Sequence, residues 1–234
     1  MKKRKQIILC ILLLLIALLA VFLFWQRSNV RAVWKWLTLD SETIAENYEN
    51  HKSEHHDAIV DEFQGAITVK PPSAAQSGAL LDGKVSPEEV KEALGLIAVH
   101  PDAPDGPQTA ANQAPAPTYS LDELVNQCIS ELYSCKVDVM AELGVLKQSA
   151  LDEWIALEPK QRTKAKRMDI VTAGLQKCYD KEVVVDREVE AILDKYREKI
   201  NQIQADTSVL DTLWEYYCQE KEDEKAYYLD KYVN

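Results

Sequence analysis

A chain of 234 residues, with 27 Lys and Arg against 38 Asp and Glu, is too short for two large domains at ~150 residues each. Its formal charge of −11 argues against a nucleic-acid partner, because phosphate binding depends on neutralisation by Lys and Arg. Five Cys and seven Gly exclude disulfide-dense and collagen-like classes, and what remains is an acidic, helix-rich protein.

The charge is unevenly placed. Residues 1–36 hold seven bases and no acid, residues 37–118 hold 4 bases against 14 acids, and residues 119–234 hold 16 against 24. A basic stretch, residues 1–6, precedes an unbroken apolar run from Ile7 to Trp25. At 1.5 Å per residue that run is roughly 28 Å long, which predicts a single N-terminal transmembrane helix over 7–25. A cleaved signal peptide fits less well, since it has a shorter apolar region of ~7–15 residues and a small-residue cleavage site, whereas this run closes on Val-Phe-Leu-Phe-Trp. Lys2, Lys3, Arg4 and Lys5 favour a cytoplasmic N-terminus and an extracytoplasmic remainder at the cell membrane, with the lipid bilayer as one partner. Trp25, Trp34 and Trp36 suit the interfacial belt, where Arg27, Arg31 and Lys35 could meet anionic head groups.

Residues 26–63 read as a helical stalk. Asp40 and Ser41 are N-cap candidates, and Ile44, Tyr48, Ile59 and Phe63 form one stripe. His51 and His55 are four apart and face the same way, with His56 beside them, so the three are weak metal candidates. The sequence lacks the glutamate of a zinc-protease helix, and no cofactor is expected.

Eight of nine Pro and five of seven Gly fall between Gly65 and Pro117, which predicts a Pro/Ala-rich flexible linker over 64–118. A short helix near 86–98 interrupts it, with Ser86 as N-cap, Pro87 at the first position and Glu88 and Glu89 against the dipole. Asp82, Gly83, Val85, Ser86 and Glu89 also match the second half of an EF-hand loop. Gly78 and Leu80 occupy the first and third ligand positions, which makes it a poor calcium site.

Residues 119–234 predict an antiparallel three-helix bundle with coiled-coil-like packing. Leu121, Val125, Cys128, Leu132, Cys135 and Val139 form one seam, broken by a pause near Gly144. A second seam runs through Val171, Leu175, Cys178, Glu182, Val185, Val189, Ile192 and Tyr196, and a final helix follows Ser208. Folding the first two arms about Pro159 sets position 135 level with about 183. The expected disulfides are therefore Cys135–Cys178 and Cys128–Cys218, in a compartment where such bonds persist. Lys160, Arg162, Lys164, Lys166 and Arg167 form a candidate anion-binding patch. Trp214, Tyr217, Tyr227 and Tyr228, in a stretch holding six of 18 aromatics, form a candidate partner surface.

No phosphate loop or nucleophile elbow is present, so the chain is expected not to be an enzyme. The sequence points to an all-α, anchored interaction or scaffold module at the cell envelope with a protein partner. The alternative is a ligand-binding or sensor subunit of an envelope enzyme or transporter.

Overall fold

The computed structural model describes residues 27–96 and 119–233. Most of those residues are helical, with no strand among them. The helices are α1 (Arg27–Thr38), α2 (Ser41–Glu62), α3 (Ala74–Leu81), α4 (Pro87–Leu94), α5 (Leu121–Ala156), α6 (Lys164–Gln202) and α7 (Ser208–Val233). The expected transmembrane helix at 7–25 and the spacer at 97–118 lie outside the described residues. Among those described, no helix is long and apolar enough to cross a membrane.

Local chemistry sets the helix starts. Asp40 Oδ1 accepts from the Thr43 N–H at 2.8 Å, as its position in the sequence predicts. Ser73, Ser86 and Ser120 each open a capping box, with Gln76, Glu89 and Glu123 answering three residues later. Gly95 closes α4 in the left-handed conformation, φ 63°, which costs glycine nothing.

The chain divides into two units. One comprises α1, α2 as far as His55, and α7 from Glu215 onward; the other spans His56–Trp214. The last helix is divided between the units at Glu215, and α1 and α2 as far as His55 share a unit with its C-terminal segment.

In the larger unit α5 and α6 form a long antiparallel hairpin. Its register is read from paired side chains: Glu131 with Lys195, Cys135 with Glu188, Glu142 with Lys181, and Glu153 with Lys166. Cys128, Val137, Met140, Val189, Ile192, Tyr196 and Ile200 form the core, closed by Val209, Leu210 and Leu213 from the first turns of α7. Helix α5 runs through Gly144 without the expected pause. Gly144 serves packing instead: a Cβ there would stand 2.9 Å from the backbone oxygens of both Leu80 and Leu81. The missing side chain lets the end of α3 lie directly against α5.

Residues 64–96 are accordingly not a flexible linker. Helices α3 and α4 both pack on α5, burying Leu80, Leu81 and Val90. Asn126 Oδ1 on α5 accepts from the Thr68 N–H at 2.9 Å, tying down the strap before α3. The EF-hand-like carboxylates are engaged within the fold. Glu89 caps α4, and Asp82 meets Lys147 at 2.6 Å and Lys84 at 2.8 Å. Those two ammonium groups hold the exposed Asp82 carboxyl down at about 2.

Candidate functional site

The densest polar cluster lies in the smaller unit. The acids Glu220, Glu222 and Asp223 of α7 meet two bases of α1 and two imidazoles of α2. Spacing explains the convergence. Arg31 and Lys35 are four apart on α1, and His51 and His55 four apart on α2, so each pair presents one face.

Asp223 is the hub. One carboxylate oxygen accepts from Lys35 Nζ at 2.5 Å and the other lies 2.8 Å from His51 Nδ1, with the Asp223 side chain only 3% exposed. Arg31 donates to the buried Glu222 at 3.3 Å. The His55 ring stacks on Tyr216, with centroids 4.1 Å apart and planes within 4°, and its Nδ1 is 4.0 Å from Glu220. Burial pushes the His55 pKa below the ordinary histidine value, against an opposing pull from Glu220.

This arrangement is an electrostatic clasp rather than a metal centre. Metal ligation needs several nitrogens or oxygens aimed at one point. Among the described residues no group of three His, Cys, Asp or Glu is placed to hold a metal ion. His51 gives its Nδ1 to Asp223, and His55 lies in a stack. His56 belongs to the other unit, where its Nδ1 is 3.2 Å from Tyr133 Oη. Arg31 and Lys35, read from the sequence as head-group contacts, are instead engaged with α7.

The aromatic tail is engaged likewise. Tyr227 stacks on Tyr48 of α2, with centroids 4.6 Å apart, and Tyr228 tilts against the same ring at 6.3 Å. Burial pushes the Tyr228 pKa up. Tyr227 and Tyr228, both half-buried, therefore contribute to the packing of the smaller unit. Tyr217 has the Lys221 ammonium 5.0 Å above its ring, and Trp214 falls in the larger unit.

In the larger unit Glu131 organises a second polar cluster. Tyr196 Oη donates to its Oε1 at 2.8 Å, and Lys195 Nζ reaches both oxygens at 2.6 and 2.5 Å. Cys128 lies one turn before Glu131, fully buried, and burial pushes its thiol up to about 12. The Cys135 thiol is also pushed up to about 12 by burial and by Glu188, to which it donates at 3.8 Å. Neither has the lowered pKa of a reactive cysteine.

All four described cysteines are free thiols, which corrects the expected bridges. Cys135 sits opposite Glu188 rather than position 183, because the hairpin pivots nearer Arg162 than Pro159. Cys178 is then ten residues, about 15 Å of helix, from the level of Cys135. Cys128 and Cys218 fall in different units.

The basic patch is largely occupied. Arg162 folds back on the carbonyls of Ile155 and Leu157, at 2.7 and 3.1 Å, Lys160 pairs with Glu158 at 2.8 Å, and Lys166 pairs with Glu153 at 3.4 Å. Lys164 and Arg167 remain exposed. Glu131, Glu220, Glu222 and Asp223 carry no signal in the sequence that marks them as buried or partly buried. An acid on a helix reads as solvated surface until its partner, more than sixty positions away, is known.

The chain matches no protein-family model, and neither the curated proteins nor the solved structures give a significant similarity.

Proposed function

We propose that the chain is a membrane-anchored, extracytoplasmic helical module that works by holding other proteins at the cell envelope rather than by catalysis. The observation that carries this reading is the two-faced character of α1, whose described residues follow the apolar run in the sequence. Val33, Trp34 and Leu37 share one face and are exposed, Trp34 at 68% and Leu37 at 66%. The other face carries Ala32, buried, with Arg31 and Lys35 in the clasp. An exposed Trp and Leu beside a bilayer-length apolar segment is the pattern of a helix lying in the lipid interface. The clasp would then hold the C-terminal helix close to the bilayer, with the α5–α6 hairpin, about 50 Å long, offering surface for partners.

Two measurements test the reading. Carbonate extraction of membranes should leave the chain in the pellet, and protease added outside intact spheroplasts should digest residues beyond 38. Release by carbonate, or protection of the hairpin until the cells are lysed, would overturn it.

A further inference from the structure

We propose that Glu222 and Asp223 of α7 hold Arg31 and Lys35 of α1 in place of lipid phosphates, so that α1 meets the bilayer through Trp34 and Leu37 without drawing anionic lipid to those two bases. This rests on α1 lying in the lipid interface, and it adds what sets the choice of lipid there. At about 100° per residue, Val33, Leu37, Trp34 and Thr38 share one side of α1, and Ala32 and Trp36 lie opposite. The first four are exposed, while Ala32 is buried and Trp36 half-buried. Arg31 and Lys35 follow Thr38 around the helix, on the flank between the two sides. From such a flank a long basic side chain on an interfacial helix ordinarily turns its charge towards the head groups. Here both turn to α7: Arg31 donates to Glu222 Oε1 at 3.3 Å, and Lys35 Nζ to Asp223 Oδ1 at 2.5 Å.

The two holds differ in strength. The Asp223 side chain is 3% exposed, so giving up Lys35 would strip a buried carboxylate of a cation. A phosphate among hydrated head groups attracts less, because the surrounding dielectric is higher. Lys35 is therefore withheld from the bilayer. Glu222 is buried as well, but its partner Arg31 is about half exposed, so Arg31 is the base that one neutral substitution frees at little cost to the fold. Each Lys or Arg freed beside an anionic surface strengthens attachment about fivefold.

The test places the full chain in phosphatidylcholine vesicles with a minor share of phosphatidylglycerol, brominated on the acyl chains of one lipid or the other. The fluorescence quenching that Trp34→Phe removes gives the preference for phosphatidylglycerol around that side chain. Glu222→Gln should raise the preference about fivefold at low salt, and the gain should vanish at high salt and in Glu222→Gln/Arg31→Gln. Asp223→Asn should act likewise through Lys35, with the gain lost in Asp223→Asn/Lys35→Gln. Glu49→Gln removes the same charge from an exposed acid of the unit and should change nothing. A folded Glu222→Gln or Asp223→Asn chain without the gain overturns the proposal. So does a gain that survives loss of the paired base, or an equal gain in Glu49→Gln. In each of these cases quenching of Trp34 leaves the interfacial placement of α1 standing. No quenching of Trp34 by either lipid overturns both. If Asp223→Asn loses helicity, the Glu222→Gln series decides.

Discussion

His51 Nδ1 lies 2.8 Å from Asp223 Oδ2 while the other oxygen of the same carboxylate holds Lys35 at 2.5 Å, so one buried acid joins three helices. Removing one partner of a buried charge network leaves the others uncompensated. Asp223→Asn should therefore destabilise the smaller unit by about 3 kcal/mol. Glu222→Gln should cost about 1 kcal/mol or less, because its partner Arg31 is half exposed and screened by solvent. Hydrogen exchange of the α1 amides reads both, and equal protection in the two variants would contradict the hub role of Asp223.

His55 gives the same unit a pH dependence of defined sign. Its folded pKa is lowered, chiefly by burial, so the unfolded chain binds the proton more readily. Stability from this group is complete above the unfolded value near ~6.5 and is lost as pH falls through the folded value. His51, Gln219, Glu220 and Asp223 surround it; Glu220, the Gln219 hydrogen bond and Asp223 oppose the shift, and His51 adds to it. Thermal melts between pH 8 and 5 should show the smaller unit weakening on acidification, with His55→Phe, which keeps a ring on Tyr216, flattening the dependence. A unit that tightens on acidification would refute this assignment.

Gly144 should tolerate no side chain cheaply. The Cβ of Gly144→Ala would meet two backbone oxygens at 2.9 Å, and backbone at the end of α3 cannot swing aside as a side chain can. The gain in helix propensity, about 1 kcal/mol, works in the other direction. A net loss of about 1–3 kcal/mol in urea denaturation is expected, with faster exchange in α3. Gly174→Ala has open space at its Cβ and should be stabilising.

The Glu131 cluster separates a buried, charge-assisted hydrogen bond from a half-exposed ion pair. Glu131→Ala leaves the buried Tyr196 hydroxyl without its acceptor and should cost about 2–3 kcal/mol. Lys195→Ala should cost less than about 1 kcal/mol, since that side chain is nearly half exposed. Urea denaturation of the two variants gives the ranking, and the reverse order would refute it.

The buried thiols make a chemical prediction. With their pKa values pushed up to about 12, Cys128 and Cys135 carry almost no thiolate at pH 8. They should resist iodoacetamide in the native chain and react once denaturant is added. Peptide mapping under non-reducing conditions should find no Cys135–Cys178 link; finding one would mean that the hairpin register differs by about ten residues.

Helix identity was legible in the sequence because its signals are local. Asp40, Ser86 and Ser120 sit within a turn of the amides they cap, and seams such as Val185–Val189–Ile192 repeat within one helix. The antiparallel sense of α5 and α6 followed from their length and the short turn between them. The partners of those helices were not legible. Gly144 looks like a helix breaker until α3 is seen against it, and Gly and Pro in 64–96 look like a linker until Leu80 and Val90 are seen buried on α5.

Small errors of register also grow into errors of chemistry. A shift of two to three positions in the α5–α6 turn moved the residue level with Cys135 by five, from 183 to Glu188, and with it went the expected disulfide. Tyr48 and Tyr227, or His51 and Asp223, meet only because α7 leaves one unit and joins the other, a choice made by contacts more than 170 residues apart in sequence. Capping and heptad periodicity act over one or two turns, so the acidic, helical character of the chain and the starts at Asp40, Ser86 and Ser120 were written in local sequence, whereas the helix opened by Ser73 was not. Tertiary structure alone decided which acids became buried hubs and which apolar stripe was left open, because burial is a property of the neighbour that arrives.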